Sequence, residues 1–556
     1  MASSTAAPIA NGRAAKLHGR AFYESIGSPK YIVAPMVDQS EFAWRMLVRS
    51  FLAPEKRSSV LAYSPMLHAR LFVDSQRYRE SHFEAMRSGV DGAEGIAAAA
   101  ATPHLDGNPA VDRPLFVQFC ANDPTALLAA ARLVAPHCDA VDLNLGCPQG
   151  IARKGRYGAF LQEDRELIVR LIRALHEGLD VPVTAKIRIL DTREATLQYA
   201  QAVLAAGASI LTVHGRRRDQ KGHLTGIADW ATLRFLRDSL PPETVLFANG
   251  NVLQPRDLQR CLDATGFDGV MSAEGLLSDP GLFGSEPAGD ADDAAETDTA
   301  TFTATAWWPT PDVQREYWTS RDGQRGGWRV DAVMRRYLDL LHVYALDETV
   351  PPQRRPLFLP GDEPLPAEEE TKANPSTSEA TDETGDAAEP RRKKRKRDEM
   401  QPSSSSSAAA AVFSSPNFVA AQAHLFHLLR HAVGRHHDVR DALARSRKGD
   451  MATYERILAM LEHRVAAALT AEAADITGSS DEARQAEQDR VLAEANGEDD
   501  KCPRDDPDSS AAALRRCRRP WWVVQPVLRP MPAEALAKGA IQLKKKDRKG
   551  DIEKVT

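Results

Sequence analysis

One stretch of the sequence, residues 140–158, combines the pattern of a buried strand with a cysteine and a cluster of cations. Residues 140–145 read AVDLNL, and the following Gly-Cys-Pro ends that segment because glycine permits a sharp turn and proline has no backbone N–H. Cys147 is therefore expected just beyond a strand end, where α/β enzymes place their reactive groups. The loop after it carries Arg153, Lys154 and Arg156. This setting is typical of a nucleophile or an acid; a buried packing role for the cysteine is the alternative.

Eight short apolar segments can supply the strands that position this loop. They are Tyr31–Ala34, Val60–Tyr63, Leu115–Phe119, Val141–Leu145, Val183–Ile189, Ile210–His214, Val245–Asn249 and Gly269–Ser272. Helical patterns separate most of them, as in Thr125–Val134, Asp164–His176, Ala195–Ala205 and Pro255–Cys261. Eight such repeats in about 250 residues predict an α/β fold of the (β/α)8 TIM-barrel type. A doubly wound open sheet is the alternative, but it requires a GxGxxG turn after an early strand, which the sequence lacks.

Composition divides the 556 residues into a barrel and a helical domain separated by polar segments. Helical periodicity indicates one amphipathic helix at Val330–Tyr344 and a helical block at Phe418–Leu469, whereas acidic and serine-rich tracts are typical of disorder. The predicted divisions are a flexible N-terminal tail (1–28), the barrel (29–283), a disordered insertion (284–306), the first part of the helical domain (307–346), a disordered insertion with a basic cluster (347–415), the second part (416–471), a disordered segment (472–515), and a packing segment with a basic tail (516–556).

Charge and cysteine content exclude several classes of protein. The six cysteines form no CxxC pair, which argues against a disulfide scaffold or a structural metal site and favours a reducing compartment. No run of 18 apolar residues predicts a membrane span, and the N-terminus has no apolar signal core, although a weak organelle transit signal stays open. Within a net charge of −6, the cluster Arg391–Arg397 is either a nuclear import signal, the favoured interpretation, or an RNA tether. We therefore expect a cytoplasmic or nuclear protein, and a monomer.

The ends of the predicted strands carry groups that suit a flavin. They are Pro35, Met36, Val37, Gln118, Lys186, His214, Asn249, Gly250, Asn251, Ala273 and Glu274. Pro35 and Met36 offer an apolar backbone platform, and the amide of Gln118 can pair with the pyrimidine edge of the ring. Lys186 lies within a buried strand, so it needs an anion such as a reduced flavin edge or a phosphate. The last two strands end where barrels often bind phosphate.

Each of these residues also has a structural interpretation. Lys186 can pair with Asp142 on the neighbouring strand, and His214 can be an ordinary packed histidine. The segment 249–251 is by itself more typical of a turn than of a phosphate site. Only their joint position at successive strand ends favours a cofactor site.

The motifs, taken in order, resemble those of the tRNA-dihydrouridine synthases. The similar segments are APMVDQSEFAWR (34–45), NLGCPQ (144–149), KIRI (186–189), TVHGRRRDQKG (212–222), ANGNV (248–252) and MSAEGLL (271–277). YSPMLHA (63–69), QFCANDP (118–124) and GCPQGIARKGRYGAFL (146–161) resemble the eukaryotic branch that acts on D-loop uridines 16 and 17 of tRNA. The helical block resembles, more loosely, the RNA-binding domain of that family.

The resemblance implies an FMN-bound barrel reduced by NADPH or NADH. Hydride then passes to C6 of uracil, and Cys147 protonates C5. The strand-end residues fall on the FMN-contacting positions of the family. One departure is Ala273-Glu274, where many bacterial relatives carry glycine-arginine, so backbone N–H groups and Arg216 become the expected phosphate contacts.

The resemblance also implies tRNA as the partner, bound mainly through phosphate contacts. At the barrel the expected substrate contacts are Arg153, Lys154, Arg188, Arg216 and Lys221. In the helical domain and the tail they are Arg335, Arg336, Arg430, His431, Arg435 and the segment Lys544–Lys549, each of which can instead be an ordinary solvated side chain.

Two other functions fit part of the sequence. Another FMN barrel could reduce or oxidise the same C5–C6 bond in a free pyrimidine, but the basic loop and the helical block favour a polymer. An RNA-binding protein that has lost catalysis is the second alternative, and the intact set of cysteine, lysine and histidine argues against it.

Overall fold

A closed barrel of eight parallel strands forms the first part of the chain. The computed structural model describes residues 16–86, 103–284, 307–320, 326–366, 415–476, 510–517, 520–526 and 528. The strands are β1 (Tyr31–Val33), β2 (Val60–Tyr63), β3 (Leu67–His68), β4 (Leu115–Cys120), β5 (Ala140–Leu145), β6 (Val183–Arg188), β7 (Ile210–His214), β8 (Val245–Asn249) and β9 (Gly269–Ser272). β2 pairs with both β1 and β4, which closes the barrel, and the short β3 continues the edge of β4. The TIM-barrel prediction is confirmed, and the open sheet is excluded.

The interior of the barrel is apolar at the bottom and polar at the top. Successive side chains of a strand point to opposite faces, so alternate residues fill the interior. The lower interior consists of Ile32, Leu61, Phe116, Ala140, Ile210, Val245, Phe247 and Met271. The same alternation brings Gln118, Asp142, Asn144, Thr184, Lys186, Thr212, His214 and Asn249 into the upper interior. Strand register aligns them, because Asn144 pairs with Lys186 and His214 pairs with Asn249 across neighbouring strands.

Helices cover the outward-facing side chains of the strands. They are α2 (Phe42–Ser50), α3 (Ala69–Asp74), α4 (Gln76–Glu80), α5 (Pro124–Val134), α6 (Gly150–Gly155), α7 (Arg165–Gly178), α8 (Arg193–Ala205), α9 (Trp230–Ser239), α10 (Pro255–Thr265) and α11 (Glu274–Ser278). Side-chain caps fix where several begin: Asp164 accepts from the N–H of Leu167, and Asp229 accepts from that of Thr232. The buried face of α7 carries Ile168, Leu171, Ile172 and Leu175, the spacing that the sequence predicts.

A short helix before β1, α1 (Gly19–Ser25), closes the bottom of the barrel. Phe22 and Tyr23 are 3% and 4% exposed, and their rings lie 5.8 Å from those of Phe116 and Phe247 respectively. Burial of two aromatic side chains supplies the free energy that orders this segment. The prediction of a flexible tail through residue 28 is therefore wrong for residues 19–25, while residues 1–15 lie outside the described ranges.

The second part of the chain folds into a helical domain, and this domain packs against α2 of the barrel. In order they are α12 (Val313–Glu316), a hairpin of β10 (Tyr317–Trp318) and β11 (Gly327–Trp328), α13 (Val330–Leu340), a π-helical turn (Leu341–Ala345), α14 (Pro416–Leu428), α15 (Arg430–Arg435), α16 (His437–Arg445), α17 (Met451–Ile476), α18 (Ser510–Arg516) and a 3-10 turn (Trp521–Val523). The predicted helical domain is confirmed. Trp522 and Val523 are buried, as the packing-segment prediction requires.

The predicted insertions differ from the structure at their edges. Arg354 pairs with Asp339 and Glu455, and Leu357 is buried, so residues 347–366 are ordered against the domain and the prediction of disorder is wrong there. The segment predicted as disordered from residue 472 begins with the last turn of α17 and ends with most of α18. Residues 285–306, 367–414 and 477–509 lie outside the described ranges. Among the residues that the structure describes, every helix is too short or too polar to cross a bilayer.

Candidate active site

Three side chains from different strands and loops hold the backbone of the Cys147 turn. Asn144 Oδ1 accepts from the N–H of Gly146 at 3.1 Å and from that of Cys147 at 2.9 Å. Arg188 Nε donates to the carbonyl of Gly146 at 2.7 Å, and Lys221 Nζ donates to that of Pro148 at 2.8 Å. The backbone that carries the half-buried Cys147 side chain is thus held in a fixed position at the mouth of the barrel.

The segment after the cysteine folds back onto it. Helix α6 ends at Gly155; the next residue, Arg156, has a left-handed φ of 50°, and Gly158 has a φ of 64°. A Cβ on Gly158 would lie 2.8 Å from the carbonyl oxygen of Cys147, so this approach requires glycine. That carbonyl accepts from the N–H of Ala159, and Tyr157 is buried beside the cysteine. The prediction of a loop is therefore corrected to a short helix, on which Arg153 and Lys154 are exposed.

A line of hydrogen bonds connects the cysteine turn to a buried carboxylate. Asn144 Nδ2 donates to Gln118 Oε1, and Gln118 Nε2 donates to Asp142 Oδ2, each at 2.8 Å. Thr184 Oγ1 donates to Asp142 Oδ1 at 2.6 Å. Gln118 and Asp142 have no exposed surface. Gln118 therefore lies behind Asn144. Contact between the amide of Gln118 and a flavin stays a prediction, and it requires Asn144 to move away from that amide.

Lys186 has a neutral hydrogen-bond partner. Its Nζ donates to Asn249 Oδ1 at 3.0 Å, while Asn249 Nδ2 donates to the carbonyl of Met271. Lys186 and Asp142 form no direct ion pair, so that alternative is wrong, although their opposite charges still attract each other at longer range. Burial, reinforced by the nearby Arg188, lowers the pKa of Lys186 to about 8. A half-buried ammonium held only by an amide is suited to meeting an anion.

His214 lies between cations and is held neutral. Burial lowers the pKa of His214 well below its ordinary value, and Arg188, Lys186 and Arg216 lower it further. Arg216 Nη1 contacts His214 Nε2 at 3.2 Å. Because a guanidinium can only donate, Nε2 is the acceptor and the ring proton lies on Nδ1. Arg216 also donates to Asn251, which joins the ends of β7 and β8.

The remaining predicted cofactor residues form the rim of the same mouth. Val37 is 54% exposed, and the N–H of Met36 donates to Ser40 Oγ at 3.0 Å, which shapes the loop that begins with Pro35. Gly250 has a φ of 113°, and its carbonyl accepts from Trp230 Nε1. Ala273 caps α11, and Glu274 begins it with its side chain exposed. All these residues lie at strand C-termini, as predicted.

The cations predicted to contact RNA in the helical domain have different surroundings. Arg336 is 2% exposed, pairs with Glu316 and packs over the adjoining rings of Phe51 and Trp328, so its assignment as a phosphate contact is wrong. Three further residues are also engaged within the protein: Arg335 pairs with Glu462, Arg430 donates to backbone carbonyls of Ser278 and Gln525, and His431 packs on Trp521. Arg435 is exposed and stays a candidate, whereas residues 544–549 lie outside the described ranges.

Sequence reasoning missed the supporting role of two residues. Asp142 entered only as a possible partner of Lys186, and Thr184 did not enter at all. The available signal was their spacing: Asp142 stands two positions before Asn144 and Thr184 two before Lys186, so both share the inward face of their strand.

The residues at the mouth fit a flavin mononucleotide. Lys186, Arg188 and Arg216 concentrate positive charge around a neutral histidine donor, which matches a phosphate and the anionic edge of a reduced ring. Asn249 and Asn251 add amides at the ends of neighbouring strands, and the exposed Val37 offers an apolar surface. Two carboxylates accompany this donor set: Glu274, whose side chain is exposed, and Asp142, which is buried.

The fold and the polar mouth place the chain among the α/β-barrel proteins that carry their site at the C-terminal ends of the strands. The family model described as dihydrouridine synthase (Dus) matches residues 32–307. The chain is 57% identical over 262 residues to a tRNA-dihydrouridine(16/17) synthase of Saccharomyces cerevisiae, covering 47% of this chain and 56% of that one. It is 54% identical to the protein of the same name from Schizosaccharomyces pombe, covering 47% and 59%.

A human relative extends the comparison beyond the 16/17 branch. The chain is 32% identical over 249 residues to a Homo sapiens protein named tRNA-dihydrouridine(20a/20b) synthase-like, covering 44% of this chain and 68% of that one. The chain belongs to the dihydrouridine synthase family. It aligns with little more than half the length of the two yeast relatives.

Proposed function

We propose that this protein reduces uridine to 5,6-dihydrouridine at positions 16 and 17 in the D loop of tRNA. The observation that carries the proposal is the Cys147 turn, held by Asn144, Arg188 and Lys221 beside the cationic mouth. The names of the two yeast relatives support the choice of substrate and position, and those names also include NAD(P)(+). NADPH, or NADH, is accordingly the proposed reductant.

FMN is the proposed cofactor. Lys186, His214 and Asn249 would hold its ring, Arg216 with the 249–251 turn would hold its phosphate, and Met36 with Val37 would cover one face. When bound, the flavin would supply the hydride that reaches C6 of the uracil. The lowered pKa of Lys186, about 8, matches this role because an anionic ligand favours the protonated amine.

Cys147 is the proposed acid. Its S–H gives a proton to C5 while C6 receives hydride, so two hydrogen atoms add across the C5–C6 double bond and the thiolate is later reprotonated from water. General acid catalysis of this kind requires a donor in a fixed position. The backbone contacts of the turn provide it, and Tyr157 and Met66 exclude water from one side of the thiol.

The tRNA contacts of the barrel are proposed for exposed cations near the cysteine. Arg153 and Lys154 on α6 are exposed and can meet phosphates around a base that has been rotated out of the loop. Arg188, Arg216 and Lys221 act differently, because their side chains already hold the backbone or Asn251. We assign these three to the organisation of the mouth.

The assignment of Cys147 is tested with Cys147→Ala and Cys147→Ser. Dihydrouridine in a tRNA transcript is measured by mass spectrometry after incubation with NADPH. We expect at least a 100-fold loss for Cys147→Ala, with flavin content unchanged by absorbance. Full turnover by this variant would contradict the assignment. Cys138→Ala, at a buried cysteine far from the mouth, serves as the control.

The choice of substrate is tested separately. We expect turnover of tRNA and none of free uridine, which distinguishes this enzyme from a barrel acting on free pyrimidines. A purified protein that binds tRNA but shows no flavin absorbance and no turnover would instead support an RNA-binding protein without catalysis. Transcripts carrying uridine only at position 16, 17 or 20 test the proposed position.

Localisation and assembly follow as further proposals. We infer that the chain works as a monomer in the cytoplasm, the nucleus or both, with residues 391–397 acting as an import signal. Deletion of 391–397 should shift a fluorescent fusion from nucleus to cytoplasm; an unchanged distribution would favour an RNA tether. Sedimentation equilibrium of the full chain tests the monomer.

A further inference from the structure

The hydrogen bonds behind the cysteine turn all run in one direction. The N–H groups of Gly146 and Cys147 donate to Asn144, which donates to Gln118, which donates to Asp142. From the other side, Thr184 also donates to Asp142. The carboxylate is therefore the common acceptor of a chain that begins at the backbone of the reactive cysteine. We call this series of hydrogen-bonded groups the relay.

The two amides of the relay cannot fix their own orientation. A side-chain amide has nearly the same shape when its oxygen and nitrogen are exchanged, so its neighbours decide which atom points where. A carboxylate only accepts, which obliges Gln118 to offer its nitrogen and to turn its oxygen toward Asn144. Asn144 must then offer its nitrogen to Gln118, and its oxygen is left facing the backbone of the turn.

The burial of this carboxylate costs free energy. Asp142 has no exposed surface, and its hydrogen-bond partners are the neutral side chains of Gln118 and Thr184. Burial raises the pKa of Asp142 to about 6. A neutral residue of similar size would fill the same space at lower cost, so packing alone does not account for an aspartate here.

We propose that Asp142 is a positioning residue, which sets the direction of the relay and thereby holds the Cys147 turn in the geometry for proton transfer. The catalytic part of this proposal rests on the proposed function. Its structural part, that Asp142 controls the position of the thiol, does not. Asp142 acts through Gln118 and Asn144 and does not itself touch the reacting atoms.

At a pH high enough to ionise the thiol fully, the rate at which Cys147 is alkylated reports the accessibility of the thiol without any turnover. The full-length chain is treated with N-ethylmaleimide, and labelling of each cysteine is followed by peptide mass spectrometry. We expect Asp142→Ala to raise the labelling rate of Cys147 at least fivefold and Asp142→Asn, which keeps the shape and one acceptor, about twofold. Cys138 and Cys261 are buried away from the turn and report general loosening, so their rates should not change.

Thr212→Val is the matched control. Thr212 is 1% exposed in the same upper interior of the barrel, and its hydroxyl lies 3.5 Å from Tyr63, which meets the relay only at its far end, near Thr184 and Asp142. We expect its Cys147 labelling to equal that of the wild type. The proposal is overturned if Thr212→Val accelerates labelling as much as Asp142→Ala, or if Cys138 and Cys261 accelerate in parallel with Cys147. An unchanged Cys147 rate in both Asp142 variants overturns it as well, and if Asp142→Ala does not fold, Asp142→Asn alone decides.

Turnover of tRNA separates this proposal from the proposed function. In a wild-type enzyme that makes dihydrouridine, both Asp142 variants should lower kcat, by about tenfold for Ala and threefold for Asn, with KM for tRNA unchanged. A fall confined to KM would overturn the catalytic part. If the wild type makes no dihydrouridine, the proposed function fails, while the labelling experiment still gives its answer about the turn.

Discussion

Removal of the buried charge at position 142 should make the protein more stable. The pKa of Asp142 rises from its ordinary 3.8 to about 6 because the side chain is fully buried. At pH 8 this difference corresponds to about 3 kcal/mol of stability that is lost through ionisation in the fold. Asp142→Asn avoids that cost but loses a strong acceptor for Thr184, worth about 1 kcal/mol. We therefore expect a net gain of about 2 kcal/mol in the free energy of unfolding at pH 8.

The gain in unfolding free energy from Asp142→Asn should become larger as pH rises. A group whose pKa is raised in the fold contributes stability that is fully present below 3.8 and is lost as pH rises through about 6. At pH 5 the ionisation cost is about half its value at pH 8, so the net gain from the substitution falls to less than about 1 kcal/mol. Wild type and variant, both free of flavin, are compared by urea unfolding followed by tryptophan fluorescence at the two pH values.

Asp139→Asn, three residues earlier in the sequence, is the control. Asp139 pairs with Arg113 and accepts from the N–H of Leu115 at a partly exposed position, so Asp139→Asn should give no gain at either pH. An Asp142→Asn variant that is less stable than the wild type at pH 8 would refute the reasoning. So would a gain of the same size at pH 5.

Three more substitutions test the site and the fold. Lys186→Met should weaken FMN binding at least 100-fold by fluorescence titration and abolish the loss of affinity that we expect of the wild type above pH 8, where Lys186 loses its proton. Gly158→Ala should lower turnover at least tenfold, with tRNA affinity retained by filter binding, because its Cβ would press on the carbonyl of Cys147. Phe22→Ala should cost about 3 to 5 kcal/mol by urea unfolding, since it empties the bottom of the barrel.

The strands and the positions of Cys147 and Lys186 at the barrel mouth could be predicted because both follow from local patterns. Each strand is a short apolar segment, and Cys147 and Lys186 stand at or near the ends of such segments. The relay could not be predicted, because it joins Gln118, Asp142 and Thr184 from three strands and depends on their register. Periodicity also assigned Arg336 to an exposed helix face, whereas the packing of α13 against α2 buries it over two aromatic rings.

The helical domain bears directly on the mouth of the barrel. Helix α2 begins at Phe42, six residues after Met36 in the β1 loop, and α14 packs on its first turn. There Asn417 Oδ1 accepts from the N–H of Ala43 at 2.8 Å, and the buried His424 contacts Glu41 at 2.8 Å and stacks on Trp44 with ring centroids 4.1 Å apart.

These contacts fix the rim from outside the barrel. Gln39, within the β1 loop itself, lies 3.3 Å from the ring of His427 on α14. A shift of α14 would therefore press on the loop that is proposed to cover the flavin, because His424 and Trp44 between them are buried and closely packed.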